Sequence, residues 1–160
     1  MLEALTDREV NVHTMMQDSG KLDLFVYNTL KKATNGNKDT VLYVNKKSDV
    51  EEMSDLSLVM PMNADQWLFI INYDKVKRHR RKILELIKQK NPSSKYLISF
   101  EKYIDFKRFN DDLGSMVNSM YLKNLNQKDV RFLFRKYKFD KDLFQFIFYS
   151  YRSEVEKMMT

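Results

Sequence analysis

Trp67-Leu68-Phe69-Ile70-Ile71-Asn72 is an apolar run that ends on a polar residue, and together with the two segments after it this run decides the fold. Lys75–Lys90 puts Val76, Ile83, Leu86 and Ile87 on one side at helical spacing, and Asn91-Pro92 closes it. Lys95–Phe100 is a second apolar run. Strand, helix and strand in this order predict parallel strands joined by a right-handed crossover. Upstream, Val41-Leu42-Tyr43-Val44 reads as a further buried strand, and Ser48-Asp49-Val50-Glu51-Glu52 opens like a capped turn or short helix that Pro61 ends. Lys21–Ala33 carries Leu22, Phe25, Val26 and Leu30 at helical spacing, with Asn35-Gly36 as a left-handed stop. A helix over 7–17, with a poor stripe of Val10, Val12, Met15 and Met16, is expected before it.

From Asp105 the pattern turns helical, and helices are predicted at about 105–119, 127–138 and 141–158. Asn126-Gln127-Lys128-Asp129 and Asp140 supply N-caps. Short connections favour a packed bundle. The expected fold class is therefore α/β: a small three-stranded parallel sheet with flanking helices over 1–103, then a C-terminal three-helix bundle over 104–160.

Composition narrows the functions. With 43% hydrophobic and 13% aromatic residues, the chain of 160 has the apolar surface to fold. The absence of Cys excludes disulfide frameworks, thiolate metal sites and cysteine nucleophiles. No apolar run approaches the ~18 residues of a membrane helix, and the first residues lack a signal-peptide pattern. A soluble cytoplasmic protein is expected, acting in the host cytoplasm if the source is viral. Charge is uneven: residues 1–60 carry 7 Lys/Arg against 10 Asp/Glu, whereas residues 61–160 carry 21 against 12. A basic half invites an anionic partner.

Catalytic patterns are missing. Asn35-Gly36-Asn37-Lys38-Asp39-Thr40 is the nearest approach to a phosphate loop, but it has one Gly, no Lys-Ser/Thr pair, and precedes a strand. His13 and His79 are the only histidines, so zinc is not expected. Asp111-Asp112 would point about 100° apart on a helix and form no dyad. Asp74 follows a strand where α/β proteins place functional acids, yet its expected role is to cap the helix that begins after it. A magnesium-dependent nuclease built on Asp74 is the weakest of three readings. No enzyme, cofactor or metal is expected.

Binding chemistry is present. Lys75-Val76-Lys77-Arg78-His79-Arg80-Arg81-Lys82 holds six Lys/Arg in eight positions. As one α-helix it would place Lys75, Arg78 and Lys82 on one side and Lys77 and Arg81 in the next row. Arg forks suit phosphate oxygens. The alternative is a solvated helix whose like charges mildly repel. In 127–138, Val130, Leu133, Phe134 and Tyr137 form a buried stripe, while Lys128, Arg131, Arg135 and Lys138 line the other side. Where they share a surface, the two basic faces form a track for a phosphate backbone, and the sequence leaves that sharing open. Phe144, Phe148 and Tyr151 read as core; Phe146 and Tyr149, with Trp67, are candidate protein-docking anchors.

Trp67-Leu68-Phe69-Ile70-Ile71-Asn72-Tyr73-Asp74 resembles the strand that carries the Walker B acid in AAA+ proteins. Lys95-Tyr96-Leu97-Ile98-Ser99 resembles their sensor-1 strand, and Tyr121 to Val130 the entry into a helical lid. Between about Asp65 and Tyr151 the order of parts is similar to the delta subunit of bacterial clamp loaders. The resemblance implies an AAA+-like core without ATPase activity that binds DNA and a sliding clamp. The chain ends without the collar domain of such subunits, which suits a short, phage-like replication accessory protein equally. The leading expectation is a non-catalytic accessory protein of DNA replication or transcription that holds nucleic acid, as DNA, through Lys75, Lys77, Arg78, Arg80, Arg81, Lys82, Lys128, Arg131, Arg135 and Lys138. It would sit with a protein partner in a larger complex. The alternative is a protein-interaction or structural module without nucleic-acid contact.

Overall fold

The computed structural model describes residues 2–7, 9–16, 20–120, 128, 131–132 and 140–151; the side chains of 2–3, 20–25 and 147–151 are not described. Five parallel strands form one sheet: β1 (Val12–Met16), β2 (Val41–Val44), β3 (Trp67–Asn72), β4 (Ser94–Phe100) and β5 (Val117–Met120), in the order β2-β3-β4-β1-β5. The expected sheet had three strands; β1 and β5 are added. β1 replaces the helix expected over 7–17. β5 replaces the end of the helix expected over 105–119, whose first part is α5 (Tyr103–Leu113). The sheet layer thus runs past residue 103, and the segment expected to open a separate bundle supplies a strand instead.

Both faces of the sheet are covered, as parallel sheets require. One face carries Val12, Phe69, Ile71, Tyr96, Ile98 and Phe100, packed under α2 (Lys47–Leu56), α4 (Arg80–Lys88) and α5. The other carries Met15, Leu68, Leu97 and Met120, packed under α1 (Gly20–Ala33), Leu5 of the 3-10 turn Leu2–Thr6, and Phe144 of α6 (Lys141–Tyr151). Each fully buried Leu, Ile or Phe here contributes about 1.5–3 kcal/mol. Among the described residues no helix is long and apolar enough to cross a membrane.

Local signals explain the joints. α1 stops where Asn35 takes φ 51°, and Gly36 N–H reaches the Lys31 carbonyl at 2.9 Å. A Cβ on Gly36 would lie 2.8 Å from Thr34 Oγ1 and 2.9 Å from Thr40 Oγ1, so a larger residue there would have to displace both hydroxyls. α2 is capped two residues earlier than its sequence suggested, at Lys46 instead of Ser48, because Asp49 accepts from the N–H groups of Asn45 and Lys46 at 2.9 and 3.1 Å. Asp140 caps α6 as expected, accepting from Leu143 N–H at 2.7 Å. Lys128, Arg131 and Phe132 are helical; the remainder of 127–138, and the expected helix beyond 151, lie outside the described residues.

Candidate nucleic-acid interface

The basic cluster does not lie on one continuous helix. After β3 the chain makes a short helix, α3 (Tyr73–Val76), a 3-10 turn (Lys77–His79), and then α4. Residues of a 3-10 turn project about 120° apart, so the two expected rows are not preserved. The break removes the like-charged i,i+4 pairs that an unbroken helix would carry, each unfavourable by a few tenths of a kcal/mol, about 0.2–0.5.

Lys75, Lys77, Arg78, Arg81 and Lys82 are exposed. Arg81 is 94% exposed at its side chain and stands 3.3 Å from Glu85, an i,i+4 pair that leaves most of its guanidinium in water. Arg80 behaves differently. It is half-buried and ion-paired with Asp112 of α5, and it also bonds the hydroxyl of Tyr73. Arg80 therefore joins α4 to α5 and is not a free phosphate ligand. In exchange, the α5 crossover brings Lys102, Lys107 and Arg108, all exposed, to the same carboxyl end of the sheet, and Arg108 acts electrostatically on the Tyr73 hydroxyl. No run of charge in the sequence marks these three as part of the cluster; the crossover assembles them.

The second basic segment packs elsewhere. Lys128 and Arg131 are exposed, and the Arg131 guanidinium sits 4.7 Å from the centre of the Phe144 ring. Phe132 and Phe144 both pack on the α1 face, whereas α4 packs on the opposite face. The sheet thus stands between α4 and the side chain of Phe132. Arg135 and Lys138 lie outside the described residues, as does the side chain of Tyr149. Phe146 is 69% exposed. Trp67 is half-buried against the core, and its indole N–H donates to the Val59 carbonyl at 2.8 Å.

In doubly wound sheets ligands lie outside the carboxyl ends of the strands. Here those ends are filled by rings: Tyr73 lies 4.7 Å from Phe100 and 5.5 Å from Phe109, and Phe100 lies 5.8 Å from Phe106. Burial pushes the Tyr73 hydroxyl above its ordinary pKa. Asp74 does not cap a helix after it. It sits within the first turn of α3, and its Oδ2 accepts from Glu101 N–H at 2.8 Å, tying the end of β3 to the end of β4. The Asn72 Oδ1 beside it is buried without a hydrogen-bond partner. The connection from β1 to α1, over 17–19, lies outside the described residues. α1 opens with Gly20-Lys21-Leu22, a Gly-Lys pair at the phosphate-loop place in the topology, with Leu where the loop needs Ser or Thr. Sequence reasoning misses this pair, because Asn35–Thr40 offers the more conspicuous glycine. Among the described residues no group of three His, Asp or Glu is placed to hold a metal.

These features define a doubly wound parallel α/β domain with β1 inserted between β4 and β5. Among solved structures it is similar to a DNA polymerase III gamma subunit-related protein from Thermotoga maritima, with a TM-score of 0.60 and 11% identity over 84% of this chain and 52% of that one. The chain thus spans about half the length of that protein. A weaker likeness, with a TM-score of 0.44 and 11% identity, relates 94% of the chain to 69% of Saccharomyces cerevisiae RIF2. Neither a protein-family profile nor a curated protein matches the sequence.

Proposed function

We propose that this protein is a non-catalytic accessory subunit of a DNA-handling assembly of the clamp-loader kind, bacterial or phage, and that it holds a phosphate backbone on the ridge formed by α3, the adjoining 3-10 turn and the start of α4. The observation that carries this reading is the exposure of Lys75, Lys77, Arg78, Arg81 and Lys82 together, with Lys102, Lys107 and Arg108 brought alongside by the next crossover. Contacts of this kind are charge-driven and largely independent of sequence. The fold likeness to a DNA polymerase III subunit-related protein supports the setting. The engagement of Asp74 with a backbone N–H supports a structural role for that carboxylate.

Anisotropy of labelled single- and double-stranded DNA across a salt series tests the proposal. Binding that weakens steeply with salt, and a smaller slope in the Arg78→Glu, Arg81→Glu, Lys82→Glu triple variant, are expected. Unchanged affinity in that variant rejects the ridge.

One observation favours a protein partner in addition. Leu58, Val59, Met60 and Met62 are 76%, 53%, 74% and 97% exposed in the connection before β3. That connection is anchored by the Trp67–Val59 bond and by Asn91 Nδ2 donating to the Ser57 carbonyl. A held, exposed apolar loop of this kind marks a docking element. A Met60→Lys, Met62→Lys double variant is expected to keep its DNA affinity and to lose co-purification with its partner subunit.

A further inference from the structure

α5 opens at the carboxyl end of the sheet with two exposed apolar residues, Tyr103 and Ile104, which are 57% and 64% exposed. Each has a cation one helical turn behind it, Lys107 four residues after Tyr103 and Arg108 four residues after Ile104. Lys102 stands before them, and all three cations are exposed. The Tyr103 ring is packed from behind. Its centre lies 6.1 Å from that of Phe106, which lies 5.8 Å from that of Phe100, which in turn lies 4.7 Å from that of Tyr73. A chain of rings thus runs from the strand ends to the surface, and its last member is more than half exposed. Two ties fix this surface against the basic ridge. Asp74 of α3 accepts from the N–H of Glu101, two residues before Tyr103, at 2.8 Å, and Arg80 of α4 pairs with Asp112 of α5. Two residues span at most about 7 Å, so the ring stands beside the start of the ridge. Glu101 is an exposed acid next to it, outnumbered by the cations around.

We propose that Tyr103, with Ile104 beside it, is a stacking platform for one unstacked base of a single DNA strand whose phosphates lie on the basic ridge. The inference rests on the ridge proposal and deepens it by selecting a single strand over a duplex. The cations name the anion: Lys102, Lys107 and Arg108 continue the positive surface of Lys75, Lys77 and Arg78 past the ring. The ring names what the phosphates carry. Every base has an aromatic face, so a tyrosine held in the open among cations gains a stacking partner from any strand whose bases are free, whatever its sequence. In a duplex those faces are already stacked on one another, and only base edges reach the grooves. A protein partner fits less well, because the centres of protein interfaces are depleted of lysine and here two lysines flank the apolar pair. Packing against Phe106 holds the ring before binding, so less side-chain freedom is left to lose.

The test measures affinity for a short single-stranded oligonucleotide, for an abasic strand of equal length and charge, and for the duplex of the first with its complement. The native protein is expected to bind the base-bearing strand about fivefold or more tightly than the abasic one. Tyr103→Ala is expected to lose that margin, and to weaken single-strand binding more than duplex binding. Tyr103→Phe, which keeps the ring, is expected to retain the margin. Each protein is compared with itself on different strands, so a change in its folded fraction cancels. Equal binding of the base-bearing and abasic strands by the native protein, or binding of the duplex alone, overturns the platform and leaves the ridge standing. A margin that survives Tyr103→Ala overturns the platform as well. An equal loss for single strand and duplex in that variant overturns the choice of a single strand. Binding of no nucleic acid overturns both readings and gives Tyr103 and Ile104 to a protein-docking surface.

Discussion

The carboxylate of Asp74 and the backbone N–H of Glu101 are joined at 2.8 Å across the carboxyl ends of β3 and β4. An acid at the place where related folds put catalytic groups is here a clasp between two strands. Asp74→Ala is expected to lower stability by about 1 kcal/mol, the usual worth of one partly exposed charge-assisted bond. Asp74→Asn, which keeps an accepting oxygen, should recover most of that loss in urea unfolding. Magnesium-dependent DNA cleavage by the native protein, abolished in Asp74→Ala, would overturn the structural role.

Adjacent arginines should separate cleanly by experiment. Arg80 is half-buried and paired with the exposed Asp112, so Arg80→Ala removes a water-screened ion pair together with the packing of the arginine stem, and a loss of about 1 kcal/mol is expected. Arg81→Ala, at a position 94% exposed, should change stability by less than about 0.5 kcal/mol. DNA affinity is expected to respond in the opposite sense, with Arg81 the more costly loss once only folded protein is counted. Equal thermal shifts for the two variants would contradict the α4–α5 tie.

His13 is wholly buried on β1, and its Nδ1 lies 3.1 Å from Asn118 Nδ2 on β5. Burial first, and the neighbouring Lys95 second, lower its pKa from 6.5 to about 3. The folded protein therefore holds this imidazole neutral where the unfolded chain would protonate it. Stability from this residue is complete above about pH 6.5 and is lost as pH falls toward 3, at up to about 1.4 kcal/mol per pH unit. His13→Gln should flatten unfolding free energy between pH 4 and 6.5 relative to the native chain. An unchanged slope would mean that His13 is already protonated in the fold.

Lys95 is 1% exposed on the same face, and its ammonium reaches the Asp7 carbonyl at only 3.4 Å. Burial lowers its pKa. Its folded pKa lies below the unfolded one, so at neutral pH the fold carries a cost that disappears only as pH rises past about 10.5, the unfolded value. Replacement by an apolar side chain of similar volume, Lys95→Met, is expected to raise the melting temperature, since removing a poorly compensated buried charge is stabilising by about 1–3 kcal/mol. A fall in melting temperature would show that the bond to Asp7 outweighs the burial cost.

The same buried polar groups explain what the sequence conceals. β2, β3 and β4 are legible because each is a run of aliphatic and aromatic residues between turn signals. β1 is not, because Val12-His13-Thr14-Met15-Met16 places two polar residues in the centre of the sheet. Thr14 Oγ1 is satisfied by Asn110 of α5, and Nδ1 of His13 meets Asn118 of β5. β5 is hidden for the reciprocal reason: Val117-Asn118-Ser119-Met120 is half polar, and Asn118 faces His13 directly across the register. Each strand reads as something else until its partner is beside it. The basic cluster was legible as composition but not as geometry, because the turn at Lys77–His79 and the diversion of Arg80 to Asp112 depend on the packing of α5.

The position of β1 governs how the chain reaches this state. Val12 pairs with Tyr96 on one side and with Val117 on the other, so β1 gains no neighbour until β4 exists, and no second one until β5 is made. Loop-closure entropy must be overcome before either pairing rewards it. A nascent chain halted before Ser94 would hold β2 and β3 side by side while the residues destined for the middle of the sheet remained solvated. The sheet thus closes around β1, and β5 can join only once β1 is in place.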